Sequence, residues 1–91
     1  MCTTIAIGAD ITGAGKGPEG WFPLTRATVG YDHAGHTGAE HALLLGFANY
    51  DIGPGARVAL ELDLASGRAL LVQLSAAIEA AEASGLDDST P

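Results

Sequence analysis

The spacing of the apolar residues changes at Asp63, and no other feature of the sequence constrains the fold as strongly. Before Asp63, apolar and polar residues alternate in several short stretches, which is typical of strands with one face toward a core. After it, Leu71, Leu74 and Ile78 recur at helical spacing. Asp63 has the position of an N-cap and Gly85 that of a C-terminal stop. The chain is therefore predicted to form strands first and one helix afterwards.

Four stretches alternate as strands do, and turn residues separate them. They cover residues 3–12, 25–33, 40–49 and 57–62. We predict an α+β fold, in which one C-terminal helix packs on the apolar face of a four-stranded antiparallel meander. The glycine-rich segment 13–20 is predicted to be a loop, long enough to act as a lid that carries Lys16. The bulky segment 21–24 is predicted to close one end of the core.

The length of the chain, 91 residues, suffices for one compact domain. We predict a single domain over residues 1–91, with a disordered tail over about residues 86–91. Hydrophobic residues make up 47% of the chain and only five residues are aromatic, so the core must be aliphatic and rich in alanine. Because such a core gives modest stability, we expect a homodimer or a higher homo-oligomer.

The charge balance excludes several classes of partner. A net charge of -7 with only four permanent cations disfavours nucleic acid and anionic membrane surfaces, since both are bound through many Lys and Arg side chains. No apolar run approaches the roughly 20 residues of a membrane-spanning helix. The first residues do not show a basic region followed by an apolar stretch, so no signal peptide is expected. Cys2 is the single cysteine, which excludes an internal disulfide and predicts a cytoplasmic location.

The three histidines of the chain, His33, His36 and His41, fall within nine positions. If the second and third strands form a hairpin with their bulky faces on one side, His33 and His41 project next to each other and His36 lies in the turn between them. Neutral imidazole is the commonest ligand of zinc, copper, nickel and iron(II), and three protein ligands leave a position open for water or substrate. The cluster therefore predicts a transition-metal site. Glu40 is its candidate acid–base residue, although strict alternation points Asp32 and Glu40 away from the histidines.

Cys2 is a further candidate for the same site. Removal of Met1 would leave an amine and a thiol on one residue, a combination that chelates soft metals and acts as a nucleophile. Cys2 is accordingly a candidate metal ligand or catalytic nucleophile, and an inert residue near the terminus is the alternative.

Two other functions of the chain stay open. In a metal-free isomerase or cyclase, a histidine and a carboxylate would shuttle a proton within an apolar pocket. In a non-catalytic binding or assembly module, the sheet and the alanine-rich helix would be the interaction surfaces. The histidines would then be ordinary polar residues around a turn.

Several motifs resemble those of a family of short actinobacterial proteins classed as a domain of unknown function. They are the Met-Cys-Thr start, Lys-Gly-Pro-Glu-Gly-Trp-Phe-Pro-Leu-Thr at 16–25, Asp-His-Ala-Gly-His at 32–36 and Glu-His at 40–41. The resemblance runs over nearly the whole chain and brings no established activity. It implies that the cysteine, the Trp-Phe-Pro-Leu-Thr segment and the histidines form the family's signature. Proteins of this kind are familiar from gene neighbourhoods for specialised metabolites, which implies a biosynthetic role.

The leading prediction is a small metal-dependent enzyme of specialised metabolism that acts on a small molecule. Its zinc, copper, iron or nickel ion would be held by His33, His36 and His41, and would act as a Lewis acid or activate oxygen or water.

Overall fold

The computed structural model describes residues 5–85 and has the predicted α+β architecture. Its elements are β1 (Ile5–Gly17), β2 (Gly20–His33), β3 (His41–Ala48), a short 3-10 helix (Tyr50–Ile52), β4 (Arg57–Leu62) and α1 (Leu64–Ser84). The strands form one sheet in the order β1-β2-β3-β4, and each is antiparallel to its neighbour. The predicted meander and the single C-terminal helix are therefore confirmed. Cys2 and the predicted tail at 86–91 lie outside the described residues.

The two ends of α1 are formed as the sequence predicts. The Asp63 carboxylate accepts a hydrogen bond of 2.7 Å from the Ser66 backbone N–H, which satisfies one of the free donors of the first turn. Gly85 adopts a left-handed conformation with φ 74°, and its N–H donates to the carbonyls of Ala81 and Glu82. The predicted N-cap and C-terminal stop are both confirmed.

The prediction of a loop over residues 13–20 is wrong. Residues 13–17 continue β1 and pair with the beginning of β2, after a register shift between Asp10 and Gly13, so that only Pro18 and Glu19 form the turn. The glycines leave room for bulky partners: a Cβ at Gly15 would lie 3.1 Å from Leu24 Cδ1. The segment is therefore one half of a long hairpin and not a lid.

The prediction that residues 21–24 close one end of the core is also wrong. These residues belong to β2, and Trp21 pairs with Lys16 on β1. Trp21 is 71% exposed. The bulky residues of this segment lie opposite a glycine-rich part of β1, and a Cβ at Gly17 would lie 3.3 Å from Phe22 Cε1.

The register divides the sheet into two faces of different character. Directly paired residues point to the same side. The apolar face consists of Ile5, Ile7, Ala9, Ala27, Val29, Tyr31, His33, His41, Leu43, Leu45, Phe47, Val58, Leu60 and Leu62. The polar face carries Asp10, Arg26, Asp32, Arg57 and Glu61. No Asp, Glu, Lys or Arg is among these residues of the apolar face; Lys16, which pairs with Trp21 near the turn of the long hairpin, lies on the same side of the sheet beyond them.

The apolar face is only partly covered. Among residues 5–85, Ala42 and Ala48 are the only buried hydrophobic residues, and both lie on the polar face. Ile7 on the apolar face is 66% exposed. The helix α1 contacts β3 near its first turn, where a Cβ at Gly67 would overlap Leu43 Cδ1. No helix within the described residues is long and apolar enough to cross a membrane.

Candidate functional site

The pairing of β2 with β3 brings His33 directly opposite His41 at the end of the hairpin. Their ring centroids lie 4.6 Å apart, with the ring planes inclined by 35°. The ring of Tyr31 stacks on His41 at a centroid distance of 5.8 Å. His33 and His41 are thus neighbours, as predicted. Together with Tyr31 they form a row of three rings on the apolar face.

A carboxylate that sequence reasoning placed away from the histidines reaches His33. Asp32 Oδ1 accepts a hydrogen bond of 2.7 Å from the His33 backbone N–H and lies 3.3 Å from His33 Nδ1. Asp32 begins on the polar face, as alternation requires, but its short side chain turns along the strand toward its neighbour. When Nδ1 carries the proton, this contact orients the ring and leaves the Nε2 lone pair available.

His36 is held elsewhere, on the polar side of the sheet. Its Nδ1 lies 3.0 Å from Glu61 Oε2, and the same carboxylate accepts hydrogen bonds of 2.8–3.1 Å from the backbone N–H groups of Gly35, His36 and Thr37. Glu61 belongs to the polar face, whereas the pair of His33 and His41 belongs to the apolar face. The structure therefore brings two of the three histidines together and holds the third apart.

The hydrogen bonds to Glu61 change its acidity. They lower the pKa of Glu61 to about 2, mainly through His36 and further through the three backbone N–H groups, while partial burial of the carboxyl acts in the opposite direction. The Glu61 side chain is 17% exposed and that of His36 is 88% exposed. Glu61 is thus an ionised anchor for residues 34–40, and not a proton donor near neutral pH.

The remaining predicted site residues are less constrained. Glu40 is exposed and precedes His41, and its backbone carbonyl accepts a hydrogen bond of 3.1 Å from the Ala34 N–H. Cys2 lies outside the described residues. Within residues 5–85, no three His, Cys, Asp or Glu side chains are grouped as a metal site. The roles of Glu40, Cys2 and the histidines in metal chemistry stay predictions.

Two open grooves lie away from the histidine pair. One of about 560 Å³ on the polar face is lined by residues that include Thr28, His36, Arg57 and Glu61. The other, of about 660 Å³, lies between the turn after β1 and the segment before β4, beside Trp21. Neither of these two grooves includes His33 or His41. The His33 side chain is 57% exposed and His41 is half-buried.

Sequence reasoning missed Asp32 and Glu61 for different reasons. Asp32 offers a local signal, an acidic residue directly before the histidine that ends a strand. Glu61 offers none, because its partners are 24 to 26 residues away and lie in an irregular connection.

Comparison with known proteins gives a family and no activity. Residues 1–87 match a protein family that is described as a family of unknown function. No curated protein and no solved structure matches the chain.

Proposed function

Since the chain belongs to the DUF6295 family, for which no function is described, we propose from its geometry that it is a small metal-dependent enzyme centred on His33 and His41. The observation that carries this proposal is the direct pairing of the two histidines across β2 and β3, with ring centroids 4.6 Å apart. That the backbone holds the two imidazoles this close supports their proposed use as neighbouring ligands.

The distance between the rings fits a shared ion. Zinc lies about 2.0–2.1 Å from a ligating imidazole nitrogen, which places it about 3.2 Å from the ring centroid. Two rings at an angle of about 90–110° around one ion would have centroids about 4.5–5.2 Å apart. The observed 4.6 Å lies within this interval, which supports the proposal that the two rings share one ion.

The surroundings of the pair support the same chemistry. Asp32 contacts His33 Nδ1 and favours the tautomer that offers Nε2 to a metal. Two protein ligands leave positions for a further ligand and for water or substrate. Cys2 is the proposed further ligand, and its thiolate would favour zinc or copper. Once bound, the ion would act as a Lewis acid or activate water or oxygen, with Glu40 as the acid–base residue.

The substrate is proposed to be a small molecule. The resemblance to proteins from gene neighbourhoods for specialised metabolites supports this substrate class. The apolar residues around the histidine pair favour a substrate with a substantial hydrophobic part.

A metal-free acid–base enzyme is the second candidate. The contact between Asp32 and His33, with His41 beside them, is the observation that favours it. A carboxylate that orients one imidazole next to another makes a short path for proton transfer without an ion. Retention of activity after exhaustive chelation would favour this candidate.

Elemental analysis by inductively coupled plasma mass spectrometry tests the leading proposal. We expect untagged wild type to hold or take up about one transition metal ion per chain or per dimer. The His33→Ala and His41→Ala variants should lose it. His36→Ala is the matched control, because it removes the same ring from the opposite side of the sheet.

The outcomes separate the possible sites. Metal retained by His36→Ala and lost by the other two variants supports the pair. Loss in all three variants contradicts a two-histidine centre and requires residues 34–40 to rearrange. Wild type that contains no metal and takes up none of zinc, copper, nickel or iron overturns the proposal. Far-UV circular dichroism of each variant checks that the sheet is intact.

A further inference from the structure

We propose that a second copy of this chain covers the apolar face, with α1 of each copy lying across the sheet of the other. This assembly is independent of the proposed metal chemistry. It would enclose His33, whose side chain is 57% exposed in the single chain, and the half-buried His41.

Beyond the contact of its first turn with β3, α1 is left largely uncovered by the described residues of its own chain. Only Gly67 and Ala81 are partly covered, and the other residues of α1 are exposed. The large apolar residues of α1 after Gly67 are between 40% and 62% exposed. Four of them, Leu70, Leu71, Leu74 and Ile78, share one side of the helix at spacings of three and four residues, and we call them the leucine stripe. In proteins most of the stability of such a helix comes from packing its apolar side against another surface, so the leucine stripe favours a partner.

The exposed area matches what a stable dimer buries. The accessible surface of the whole chain is 6,870 Å², whereas a compact monomer of 9.1 kDa exposes about 4,900 Å². The excess is about 2,000 Å² per copy. Even if half of it came from the ten residues outside the described range, about 1,000 Å² would remain, above the roughly 800 Å² per partner of a standard interface.

The dimensions of the two surfaces are compatible. A helix of 21 residues is about 31 Å long, and four strands span about 14 Å between the outer strand axes. The leucine stripe can therefore cross the whole width of a sheet. Ile7 on the outer strand β1 and Leu60 on the outer strand β4 are both substantially exposed, and Leu45 between them is half-buried, so the face is open at both edges and partly open at its centre.

A second copy fits better than an unrelated partner. Each chain offers one partly open sheet face and one largely exposed helix, and a two-fold axis would pair each with its complement. The chain carries a net charge of -7, which disfavours contact between copies in general. The apolar face as defined above and the leucine stripe contain no Asp, Glu, Lys or Arg, so contact through them avoids this repulsion. Lys16 lies on the same side of the sheet near the turn of the long hairpin, and as a cation it adds no repulsion between acidic chains.

Covering the face would also complete the candidate site. The His33 side chain is 57% exposed in the single chain. An opposing helix would exclude water from the histidine rings and supply a wall for a substrate. The site would then be incomplete without the partner.

Sedimentation equilibrium over the micromolar range tests the assembly. Wild type should be a dimer. Leu74→Asp on the leucine stripe and Ile7→Asp on the apolar face should each weaken dimerisation by at least about tenfold, since each buries an unpaired charge. The matched controls Gln73→Asp and Ala6→Asp add the same charge beside these positions but off the two surfaces, and they should remain dimers. Monomeric wild type at all concentrations overturns the proposal.

Isotope-filtered NMR on a mixture of labelled and unlabelled chains identifies the contact without any substitution. We expect nuclear Overhauser effects between copies that join methyl groups of the leucine stripe to those of Ile7, Val29 or Leu60. If these effects arise within one chain only, the helix folds back on its own sheet and the proposal is wrong. Effects between two sheets that exclude the helix would also contradict it.

Discussion

His36 Nδ1 lies 3.0 Å from Glu61 Oε2, and this contact joins the connection between β2 and β3 to the neighbouring strand β4. Three backbone N–H groups donate to the same carboxylate. A single side chain of β4 thus determines the conformation of a connection that carries one histidine and is flanked by the other two.

The first prediction concerns the pH dependence of stability. The pKa of Glu61 is lowered from 4.5 to about 2 on folding. The carboxylate therefore stabilises the folded state above about pH 4.5, and this contribution is lost as the pH falls toward 2. In urea denaturation, wild type should lose more stability between pH 5 and pH 2 than Glu61→Gln does.

Glu40→Gln is the matched control for this measurement. It removes a carboxylate that is exposed, and we expect its pH dependence to follow that of wild type. An equal pH dependence of wild type and Glu61→Gln would show that the carboxylate does not hold residues 34–40 in solution.

The second prediction tests the long hairpin of β1 and β2. Gly20 begins β2 with φ 113°, a conformation that residues with a side chain rarely adopt. Gly20→Ala should destabilise the protein by about 1–3 kcal/mol in urea denaturation. Gly13→Ala is the control, because a Cβ at Gly13 would meet no atom within 4 Å and its φ is not positive. Equal stability of the two variants would indicate that residues 13–20 form a loop after all.

The sequence-based predictions are correct where residues close together in the sequence determine the structure. The bounds of β4 are predicted to the residue, because alternation from Arg57 to Leu62 is followed directly by the cap Asp63. The end of α1 at Gly85 is likewise a local signal. The loop prediction for residues 13–17 is wrong because pairing with the bulky residues of β2 outweighs the low strand propensity of glycine.

The candidate site likewise has one part that local sequence patterns predict and one part that depends on a distant residue. Alternation alone places His33 beside His41 once the hairpin is assumed, and the register confirms it. The position of His36 depends on Glu61, which is 25 residues away in the sequence. Periodicity carries no information about an irregular connection, so the separation of His36 from the pair could not be predicted.

The third prediction concerns the contact between helix and sheet. A Cβ at Gly67 would overlap Leu43 Cδ1. Gly67→Ala should therefore destabilise the protein by about 1–3 kcal/mol through overpacking. The higher helix propensity of alanine offsets about 1 kcal/mol of this loss. Urea denaturation of Gly67→Ala in the background of Leu43→Ala provides the control, since the shorter side chain leaves room. If Gly67→Ala stabilises both backgrounds equally, α1 does not approach β3 at this point in solution.

The last prediction separates the roles of the two carboxylates beside the histidine pair. Asp32 Oδ1 lies 3.3 Å from His33 Nδ1, whereas Glu40 is exposed next to His41. If Asp32 orients His33 as a metal ligand, Asp32→Asn should weaken metal binding by about 10- to 100-fold in isothermal titration calorimetry. Glu40→Gln should bind the same ion with wild-type affinity, because an acid–base residue acts on substrate and not on the metal. Weaker metal binding by Glu40→Gln alone would instead make Glu40 a ligand. Unchanged metal binding by Asp32→Asn would show that the contact between Asp32 and His33 has no role in the metal site.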